Sequence, residues 1–433
     1  MPLWLKTVTK KIQSIRGTHD ILPGSVELWQ RVERTVHELF ALYGYAEIRT
    51  PIFEDTELFA RSIGAETDIV RKEMYTLTDT KGKQFSLRPE GTASVVRSYI
   101  EHSLYHDKAA KKLYYIGPMF RRERPQKGRY RQFHQIGAEV LGSDHPAVEA
   151  EVVEMLERFF SRLNLGGLRL LINSVGCVKC RPAYLKRLRE DLAKKQAGLC
   201  PECRHRSQSN ALRVFDCKVD SCQLVIDQLP SIVDHICKDC RQHFEKFEHY
   251  LDFLPHSKTM TCRREPRLVR GLDYYVRTAF EIVSDALGPT QNALVGGGRY
   301  DGLSEMVGGP PAKGFGFALG MERLILLLSG QEDMRSRYKA PAPDLFLAYV
   351  EELYLEKSLK LAQELRGKGV FAYVDFENRS LKAQTRLAHR LQARYLCVVG
   401  EDEIEKGKFF LKRMEDGEQS LLSREDIATH VVL

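Results

Sequence analysis

The stretch from Phe120 to Gly142 carries polar and aromatic side chains at alternate positions of a predicted strand. Alternate residues of a strand share one face, so Phe133, Gln135, Gly137 and Glu139 lie together. The opposite face is mostly apolar and suits a core. This face carries an aromatic ring, an amide and a carboxylate, with a glycine between them that has no side chain. Such a face is typical of the floor of a polar ligand site. A solvated sheet face is the alternative.

The loop that precedes this strand is strongly basic. Its cations are Arg121, Arg122, Arg124, Lys127, Arg129 and Arg131, against the single acid Glu123. Guanidinium groups bind phosphate oxygens through planar, charge-assisted hydrogen bonds. A charge run alone is more often a solvated face. Its position between two predicted strands, beside the polar face, favours a phosphate-binding role.

A glycine-rich strand provides a second candidate ligand surface. Its small residues share one face: Gly314, Gly316, Ala318 and Gly320. Such a face leaves room for a flat ligand to approach the backbone. Arg323 follows at the start of a helix and could reach over that gap. A close helix–strand contact would explain the glycines but not the arginine. Gly296–Gly298 is a further point of close approach, although glycine-rich turns are common.

Two shorter segments add candidate polar groups. Leu268–Glu281 clusters Arg270, Asp273 and Tyr275 at the start of a predicted strand. Leu87–Ala93 places a carboxylate and a hydroxyl, those of Glu90 and Thr92, in a loop that leads into a helix. Helix capping is the ordinary explanation of that last pattern.

The helix and strand patterns predict an α+β fold. A helix is expected over Ser25–Tyr43, ended by Gly44, and another over Pro146–Leu163, capped by Asp144. Hairpin-length turns join several strands, which indicates a largely antiparallel sheet. The predicted strands are Tyr45–Thr50, Met74–Thr78, Gln84–Arg88, Lys112–Arg121, Arg131–Leu141, Leu268–Val283, Ala293–Gly297 and Gly314–Gly320.

The chain divides into two predicted domains. Residues 1–328 form the first and contain a Cys-rich insertion at 176–255, and residues 329–343 read as a linker. In residues 344–433, strands alternate with helices, which predicts a small α/β domain with a partly parallel sheet. Within it, basic residues at helical spacing predict one stripe on a helix, with a solvated face equally compatible. The stripe comprises Arg379, Lys382, Arg386, Arg390 and Arg394.

Composition excludes several classes of protein. The 433 residues are 43% hydrophobic and 29% charged, as expected of a globular chain with ample core. The longest apolar run towards the C-terminal side of the sequence, Leu324–Leu328, is too short to cross a bilayer. Leu3–Leu5 is too short for the core of a signal peptide. A cytoplasmic location is therefore expected. The net charge of +8 is compatible with a polyanionic partner without requiring one.

Eight of the ten cysteines fall between Cys177 and Cys240. In a cytoplasmic protein such clusters indicate metal or reduced thiols rather than disulfides. Structural zinc requires four thiolates in tetrahedral geometry. The preferred ligand set consists of two tight CxxC pairs, Cys200 with Cys203 and Cys237 with Cys240. With Cys177/Cys180 and Cys217/Cys222, all four pairs could hold two ions, and free thiols are the alternative.

Taken together, these segments resemble the histidyl-tRNA synthetase family of class II aminoacyl-tRNA synthetases, over nearly the whole chain. Ala46–Pro51 resembles the first class signature, which lies at the dimer interface in that family. Phe120–Gly142 resembles the second and Gly314–Arg323 the third. Leu268–Glu281 and Gly296–Gly302 resemble two histidine-specific signatures. The resemblance implies a class II catalytic core, a homodimer, and an anticodon-binding role for residues 344–433, whose basic stripe would contact tRNA(His).

The resemblance also implies residue roles for ATP, which enters with Mg²⁺. Arg121 would hold the α-phosphate and Arg129 would reach the γ-phosphate. Phe133 would stack on the adenine, and Arg323 would cover its other face. Arg270 would stand beside both the α-phosphate and the histidine carboxylate. Arg121 and Arg270 are thus the expected catalytic residues, because they neutralise charge that develops at phosphorus.

For L-histidine, the resemblance assigns the amino group to Glu90, Thr92 and Gln135 and the two imidazole nitrogens to Glu139 and Tyr275. Tyr274 joins the same substrate-binding set. Two other interpretations stay open. One is a regulatory subunit of ATP phosphoribosyltransferase, which resembles the synthetase core, and the other is a class II synthetase for another amino acid. Retention of Arg121, Phe133, Arg323 and the second domain argues against the regulatory protein.

Overall fold

The computed structural model describes residues 11–107, 109–254, 260–288, 292–331 and 341–432. The chain forms two compact units, Met1–Tyr338 and Lys339–Leu433. Most of the predicted linker, and the Leu3–Leu5 run, lie outside the described residues. Among the residues that are described, no helix has both the length and the apolar character needed to cross a membrane.

An eight-stranded, mostly antiparallel sheet forms the centre of the first unit, with strand order β1-β5-β6-β11-β10-β9-β7-β8. The outer pairs β1–β5 and β7–β8 are parallel. The strands are β1 Ala46–Glu47, β5 Lys111–Phe120, β6 Gln132–Leu141, β7 Leu168–Ser174, β8 Met260–Arg264, β9 Val276–Ser284, β10 Ala293–Arg299 and β11 Gly314–Gly320. A separate three-stranded sheet comprises β2 Phe53–Asp55, β3 Tyr75–Thr78 and β4 Gln84–Leu87. The predicted α+β class is confirmed.

The register of the large sheet brings the two candidate ligand surfaces onto one face. Strand β6 pairs antiparallel with β11, so that Gln135 lies opposite Gly320 and Glu139 opposite Gly316. On the far side of β11, Ala318 lies opposite Gly296 of β10. Side chains of directly paired residues point to the same side of a sheet. The polar residues of β6 and the small residues of β11 and β10 therefore form a single surface.

Helices cover the other face of this sheet. Phe315 and Phe317 of β11 point into a core that includes Trp29, Phe40 and Phe159. The helices of the first unit are α1 Val26–Leu42, α2 Thr56–Ile63, α3 Thr92–Glu101, α4 Pro146–Arg162, α5 Arg181–Lys194, α6 Pro201–Ser209, α7 Asp220–Ile226, α8 Lys238–Phe253, α9 Leu303–Met306 and α10 Met321–Ser329. Helices α1 and α4 supply most of the covering apolar side chains.

Three sequence-based boundaries need correction. The predicted strand Leu268–Val283 begins only at Val276, because the segment before it bonds outside the sheet: the Asp273 amide donates to the Ile63 carbonyl of α2 at 3.2 Å. Arg277, the second residue of the strand, has a left-handed φ of 53°. Helix α4 is capped by His145, whose Nδ1 accepts from the Ala147 amide at 3.2 Å, and not by Asp144. The strand expected over Tyr45–Thr50 is reduced to the two residues of β1.

The second unit is a five-stranded sheet of order β13-β12-β14-β15-β16. Strand β12 is parallel to both of its neighbours, whereas β15 and β16 complete an antiparallel edge. Its elements are β12 Leu345–Tyr349, α11 Leu355–Gly367, β13 Ala372–Val374, α12 Leu381–Arg390, β14 Tyr395–Val399, α13 Glu401–Lys406, β15 Lys408–Arg413, β16 Gln419–Ser423 and α14 Asp426–Val432. The partly parallel α/β arrangement matches the sequence pattern.

Candidate active site

A cavity of about 210 Å³ lies on the exposed face of the large sheet. Strands β6, β10 and β11 form its floor, and the arginine-rich loop and the segment before β9 form its walls. Every side chain predicted to contact ATP or histidine lines it, except Glu139. The lining includes Glu90, Thr92, Arg121, Arg129, Phe133, Gln135, Arg270, Tyr274, Tyr275 and Arg323. Residues that are distant in sequence are thus brought to one place.

Three guanidinium groups surround one end of this cavity. Arg121 donates to the Pro89 carbonyl at 2.9 Å, and its guanidinium carbon lies 5.4 Å from the centre of the Phe133 ring. Arg129 pairs with Glu123 at 3.1 Å. Burial and the charges of Arg129 and Arg121 lower the pKa of Arg323. Cations held together in this way favour a ligand with several negative charges.

Arg270 lines the same cavity from the segment that precedes β9. Its guanidinium is hydrogen-bonded to Glu281 of β9 and lies 5.8 Å from the centre of the Tyr275 ring. Burial opposes its charge, but the Glu281 carboxylate together with Tyr275 and Asp216 outweighs burial and raises the pKa of Arg270. It stays charged, and its Nε has no hydrogen-bond partner among the described residues. A cation with an unused donor faces the cavity.

The polar residues of the cavity floor include both groups with hydrogen-bond partners and groups without them. The Glu90 carboxylate accepts from the amides of Thr92 and Ala93, at 2.7 and 2.9 Å, in the first turn of α3. The capping explanation of this residue is therefore correct, although Glu90 also lines the cavity. Burial raises its pKa despite these two hydrogen bonds. By contrast, the buried Gln135 Oε1 has no partner within the part of the chain that is described. Buried polar groups are rarely left unpaired, so Gln135 indicates a polar ligand.

Glu139 lies beneath the floor rather than in the cavity lining. Its carboxylate is fully buried and accepts hydrogen bonds from the Thr92 hydroxyl at 2.7 Å and the Tyr300 hydroxyl at 2.6 Å. Burial raises its pKa to about 8, although both hydroxyl groups favour the charged form. The carboxyl group therefore titrates close to neutral pH. A ligand hydrogen-bond donor that reaches it would favour ionisation.

The glycines of β11 and β10 make room for protein side chains more than for a ligand, contrary to the sequence interpretation. A Cβ on Gly316 would lie 1.8 Å from Glu139 Oε2, and one on Gly314 would lie 2.1 Å from the Tyr300 ring. A Cβ on Gly296 would lie 1.8 Å from the Arg270 guanidinium. These three glycines thus allow site side chains to lie flat against the sheet. Ala318 and Gly320 are the small β11 residues that line the cavity.

Sequence reasoning missed the residues that hold the site residues in place. Tyr300 orients Glu139, Glu281 pairs with Arg270, and Glu123 pairs with Arg129. Tyr115 lies against the bare backbone of Gly91 and Gly137, where any Cβ would overlap its ring. These partners became visible only in the three-dimensional structure. The alternation of Glu281 with the core residues of β9 was the one available signal.

The four cysteines of the preferred zinc set do not lie together. Cys200 and Cys203 cluster with Cys217 and Cys222, whereas Cys237 and Cys240 cluster with Cys177 and Cys180. The preferred set is therefore wrong, because the turn after β7 brings Cys177 and Cys180 to the start of α8. Each group of four has all its sulfur atoms within 4.8 Å of one another, so each could hold a metal ion.

The predicted basic stripe is exposed but does not lie on one helix. Helix α12 spans Leu381–Arg390, so Arg379 precedes it and Arg394 follows it. Arg379 pairs with Asp375, and Arg394 pairs with Asp344 at 3.5 Å. Within the described parts of the second unit, no acidic partner is found for the three helical cations, which are Lys382, Arg386 and Arg390. These three form an exposed basic surface along α12.

Comparison with known proteins agrees with this arrangement. Residues 17–324 match the family described as Histidyl-tRNA synthetase, and residues 344–432 match the Anticodon binding domain family. A Histidine--tRNA ligase of Solibacter usitatus is 48% identical over 97% of this chain and 99% of its own length. One from Trichlorobacter lovleyi is 49% identical over 94% and 95%. The crystal structure of apo S. aureus histidyl-tRNA synthetase, 37% identical, superposes with a TM-score of 0.79 over 97% of this chain and all of that one.

The antiparallel sheet, with its arginine-walled cavity and a separate mixed-sheet unit, defines a class II aminoacyl-tRNA synthetase. Within that class, the two relatives named Histidine--tRNA ligase share nearly half of their residues with this chain over almost its full length. The chain belongs to the histidyl-tRNA synthetase family.

Proposed function

We propose that this protein activates L-histidine with ATP, forming histidyl-adenylate and pyrophosphate, and then transfers the histidyl group to tRNA(His). The observation that carries this proposal is the single cavity that joins three arginines at one end to Gln135, Glu90 and Arg270 at the other. Histidine-dependent ATP–pyrophosphate exchange tests the first step. Assayed across the standard amino acids, exchange should occur with histidine alone, and exchange with none would favour a regulatory protein.

ATP would occupy the end of the cavity that carries Phe133. The ring offers a stacking surface for adenine, with Arg323 available to cover the other face. Arg121 would hold the α-phosphate and Arg129 the γ-phosphate, because guanidinium groups bind phosphate oxygens in a planar fork. Mg²⁺ prefers hard oxygen ligands and would accompany the phosphates. Glu123 lies beside the arginines and is suited to face such a cation.

The amino acid would occupy the end that carries Glu90 and Gln135. Its ammonium group would meet the Glu90 carboxylate, the Thr92 hydroxyl and the unpaired Gln135 oxygen. Its imidazole would lie beside Tyr274 and Tyr275 and reach Glu139 below the floor. The Thr92 and Tyr300 hydroxyls leave acceptor positions of the Glu139 carboxylate for an imidazole N–H, and an apolar side chain would cover this buried group without offering it a donor, which weakens its binding. This accounts for selection of histidine over apolar competitors.

The reaction requires no protein nucleophile. The histidine carboxylate attacks the α-phosphorus, the bond to the bridging oxygen of pyrophosphate breaks, and pyrophosphate leaves with that electron pair. Arg121 and Arg270 both line the cavity and would approach this position. Their fixed charges would stabilise negative charge developing at phosphorus, and positioning supplies the rest of the acceleration. The terminal hydroxyl of tRNA would then attack the adenylate.

We further infer that residues 344–433 contact tRNA and that the enzyme is a cytoplasmic homodimer. The match to the anticodon-binding family and the exposed cations of α12 support the first point. For the second, exposed Ile52 and Phe53 follow directly after the segment that resembles the first class signature. Apolar side chains exposed side by side mark contact surfaces. Sedimentation analysis should show a dimer for wild type and a larger fraction of monomer for Phe53→Glu.

A further inference from the structure

We propose that the Cys-rich insertion binds two structural zinc ions, one in each four-cysteine cluster, and that the first ion supports the histidine-binding wall. Cluster A is Cys177, Cys180, Cys237 and Cys240, and cluster B is Cys200, Cys203, Cys217 and Cys222. The metal sites are independent of the proposed catalytic function. The support of the histidine-binding wall rests on that function.

The sulfur spacing fits zinc and excludes disulfides. Zinc–sulfur bonds of about 2.3 Å at tetrahedral angles separate the sulfurs by about 3.8 Å. In cluster A, Cys177 Sγ lies 3.7 Å from Cys180 Sγ and 3.9 Å from Cys237 Sγ, and Cys180 Sγ lies 4.0 Å from Cys240 Sγ. A disulfide requires about 2.05 Å. All eight cysteines are free.

Backbone amides already point at the sulfurs of both clusters. The Cys177 amide donates to Cys180 Sγ at 3.2 Å, and the Cys200 amide donates to Cys222 Sγ at 3.1 Å. The Cys203 amide adds a bond to Cys200 Sγ at 3.4 Å. Such hydrogen bonds stabilise thiolates and orient metal ligands. In cluster B, Cys200 Sγ and Cys217 Sγ lie 4.0 Å apart.

The insertion gives a reason for two ions. Helices α6 and α7 have nine and seven residues, and 3₁₀ turns precede each of them, so local structure alone stabilises this part of the insertion little. Cluster A joins elements 60 residues apart in sequence, and cluster B joins two neighbouring short helices. Cluster A ties the turn after β7 to the start of α8, and cluster B ties α6 to α7. Structural zinc supplies folding free energy where the core is small.

Cluster A is directly connected to the wall that carries Tyr275. Arg181, the residue after Cys180, donates to the carbonyls of Val175 at 3.0 Å and Gly176 at 3.2 Å, and also to the Tyr275 carbonyl. The Arg277 amide donates to the Gly176 carbonyl at 2.8 Å. The cysteine turn therefore fixes the backbone on which Tyr275 is mounted. Arg181 acts as a positioning residue.

Cluster B approaches the same segment from a second side. The 3₁₀ helix Ala211–Asp216 ends at Cys217. Just before it, the Asn210 side-chain amide donates to Asp273 at 2.8 Å. Arg213 lies 3.1 Å from where a Cβ of Gly271 would stand. The segment that carries Arg270 and Tyr275 is thus held between the two clusters.

Metal analysis of the full chain, purified without chelators, tests the two sites. Wild type should contain two zinc ions per chain. Cys237→Ser/Cys240→Ser and Cys200→Ser/Cys222→Ser should each contain one, while Cys262→Ser and Cys397→Ser, which change cysteines outside both clusters, should keep two. Cobalt(II) reconstitution should give the visible absorption of tetrahedral thiolate sites at the same ratios. Wild type that takes up neither zinc nor cobalt would overturn the proposal. If wild type contains one ion, the double variant that still contains this ion identifies the cluster that is not a zinc site.

The connection to histidine binding is tested with Arg181. Arg181→Ala should retain two zinc ions yet raise KM for histidine on the order of ten-fold in the exchange assay, with KM for ATP little changed. Arg181→Lys should recover part of the loss. Equal changes in both KM values would indicate a general structural role and overturn the positioning role. Absence of exchange in wild type would instead contradict the catalytic function, while the metal content would still decide the zinc sites.

Discussion

The Tyr300 hydroxyl donates a 2.6 Å hydrogen bond to the Glu139 carboxylate, and both residues are buried. Gly314 and Gly316 lie under the Tyr300 ring and the Glu139 carboxylate, and a Cβ on either would overlap them. The pair therefore fits here because both neighbouring residues of β11 are glycines without a Cβ. It controls the charge of the one carboxylate at the bottom of the proposed imidazole site.

The first prediction concerns the pH dependence of histidine use. Burial raises the pKa of Glu139 to about 8, so its carboxylate, the form that accepts an imidazole N–H, becomes populated as pH rises through that value. We expect kcat/KM for histidine to increase up to about pH 8 and then level off. Tyr300→Phe removes a donor that favours the charged form, and should shift this rise upward by about one pH unit.

The measurement is ATP–pyrophosphate exchange from pH 6 to 9.5 at limiting histidine. Tyr43→Phe is a matched control, because Tyr43 donates to Glu154 at 2.6 Å without lining the cavity. It should leave the profile unchanged. Superimposable profiles for wild type and Tyr300→Phe would contradict the role given to this pair.

The second prediction concerns Arg270 and its partner Glu281. Arg270→Ala removes a cation that would neutralise charge at phosphorus, and should lower kcat/KM in exchange by about 10²- to 10³-fold. It also leaves the Glu281 carboxylate without its ion pair, so some loss of thermal stability is expected. Arg270→Ala/Glu281→Gln should recover the melting temperature but not the activity.

Melting curves and exchange rates of the single and double variants separate these two effects. Recovery of activity together with stability would mean that Arg270 acts only through the fold. Arg270→Ala with exchange near the wild-type rate would refute its catalytic assignment.

The strand patterns predicted much of this fold because hydrophobic alternation depends on local sequence. The β6 and β11 faces were predictable in this way, and pairing of Gln135 with Gly320 joined them as one surface. The segment before β9 was not, because its backbone bonds to a part of the chain that is distant in sequence, as the Asp273 amide does to the Ile63 carbonyl. Likewise, the CxxC spacing indicated metal, but the partner of each pair depended on where the chain returns in space.

Residues that position others were the hardest to find from the sequence. Tyr300 and Glu281 look like ordinary members of their segments until the sheet register brings them beside Glu139 and Arg270. The basic stripe was misjudged for a related reason. Its spacing is helical throughout, yet α12 ends at Arg390, and Arg394 instead pairs with Asp344.

The third prediction concerns a buried ion pair away from the cavity. Glu149 of α4 accepts from Arg299 Nε at 2.5 Å and contacts His243 Nε2 at 2.7 Å, and both Glu149 and Arg299 are fully buried. Glu149→Gln removes the nearest carboxylate from the buried Arg299 charge and leaves it only the Asp301 carboxylate at 3.2 Å, so we expect a loss of about 3 kcal/mol in the free energy of unfolding. Glu151→Gln, on the same helix but in a partly exposed pair with Lys112, should cost less than about 1 kcal/mol.

The pH dependence gives this prediction a sign. Burial opposes ionisation of Glu149, but Arg299 and His243 outweigh it, so its pKa in the folded protein lies below the ordinary carboxyl value. Its stabilising contribution is therefore present above the unfolded-state pKa and is lost as pH falls through the lowered one. Denaturant titrations of wild type and Glu149→Gln should differ most at pH 7 and converge in acid. A constant difference at all pH values would contradict this assignment.

The last prediction separates tRNA binding from activation. Lys382, Arg386 and Arg390 lie along α12 and have no acidic partner in the described part of the second unit, whereas Arg379 and Arg394 are each paired. Replacing the three helical cations with alanine should raise KM for tRNA(His) at least ten-fold and weaken its salt dependence, because fewer phosphates are neutralised. Exchange with histidine should not change. The matched control replaces three exposed lysines near α11, Lys357, Lys360 and Lys368, and removes the same charge from another surface of the unit. If both triple variants weaken charging equally, net charge and not the α12 surface recruits tRNA; if exchange falls with charging, the separation of the two steps is refuted.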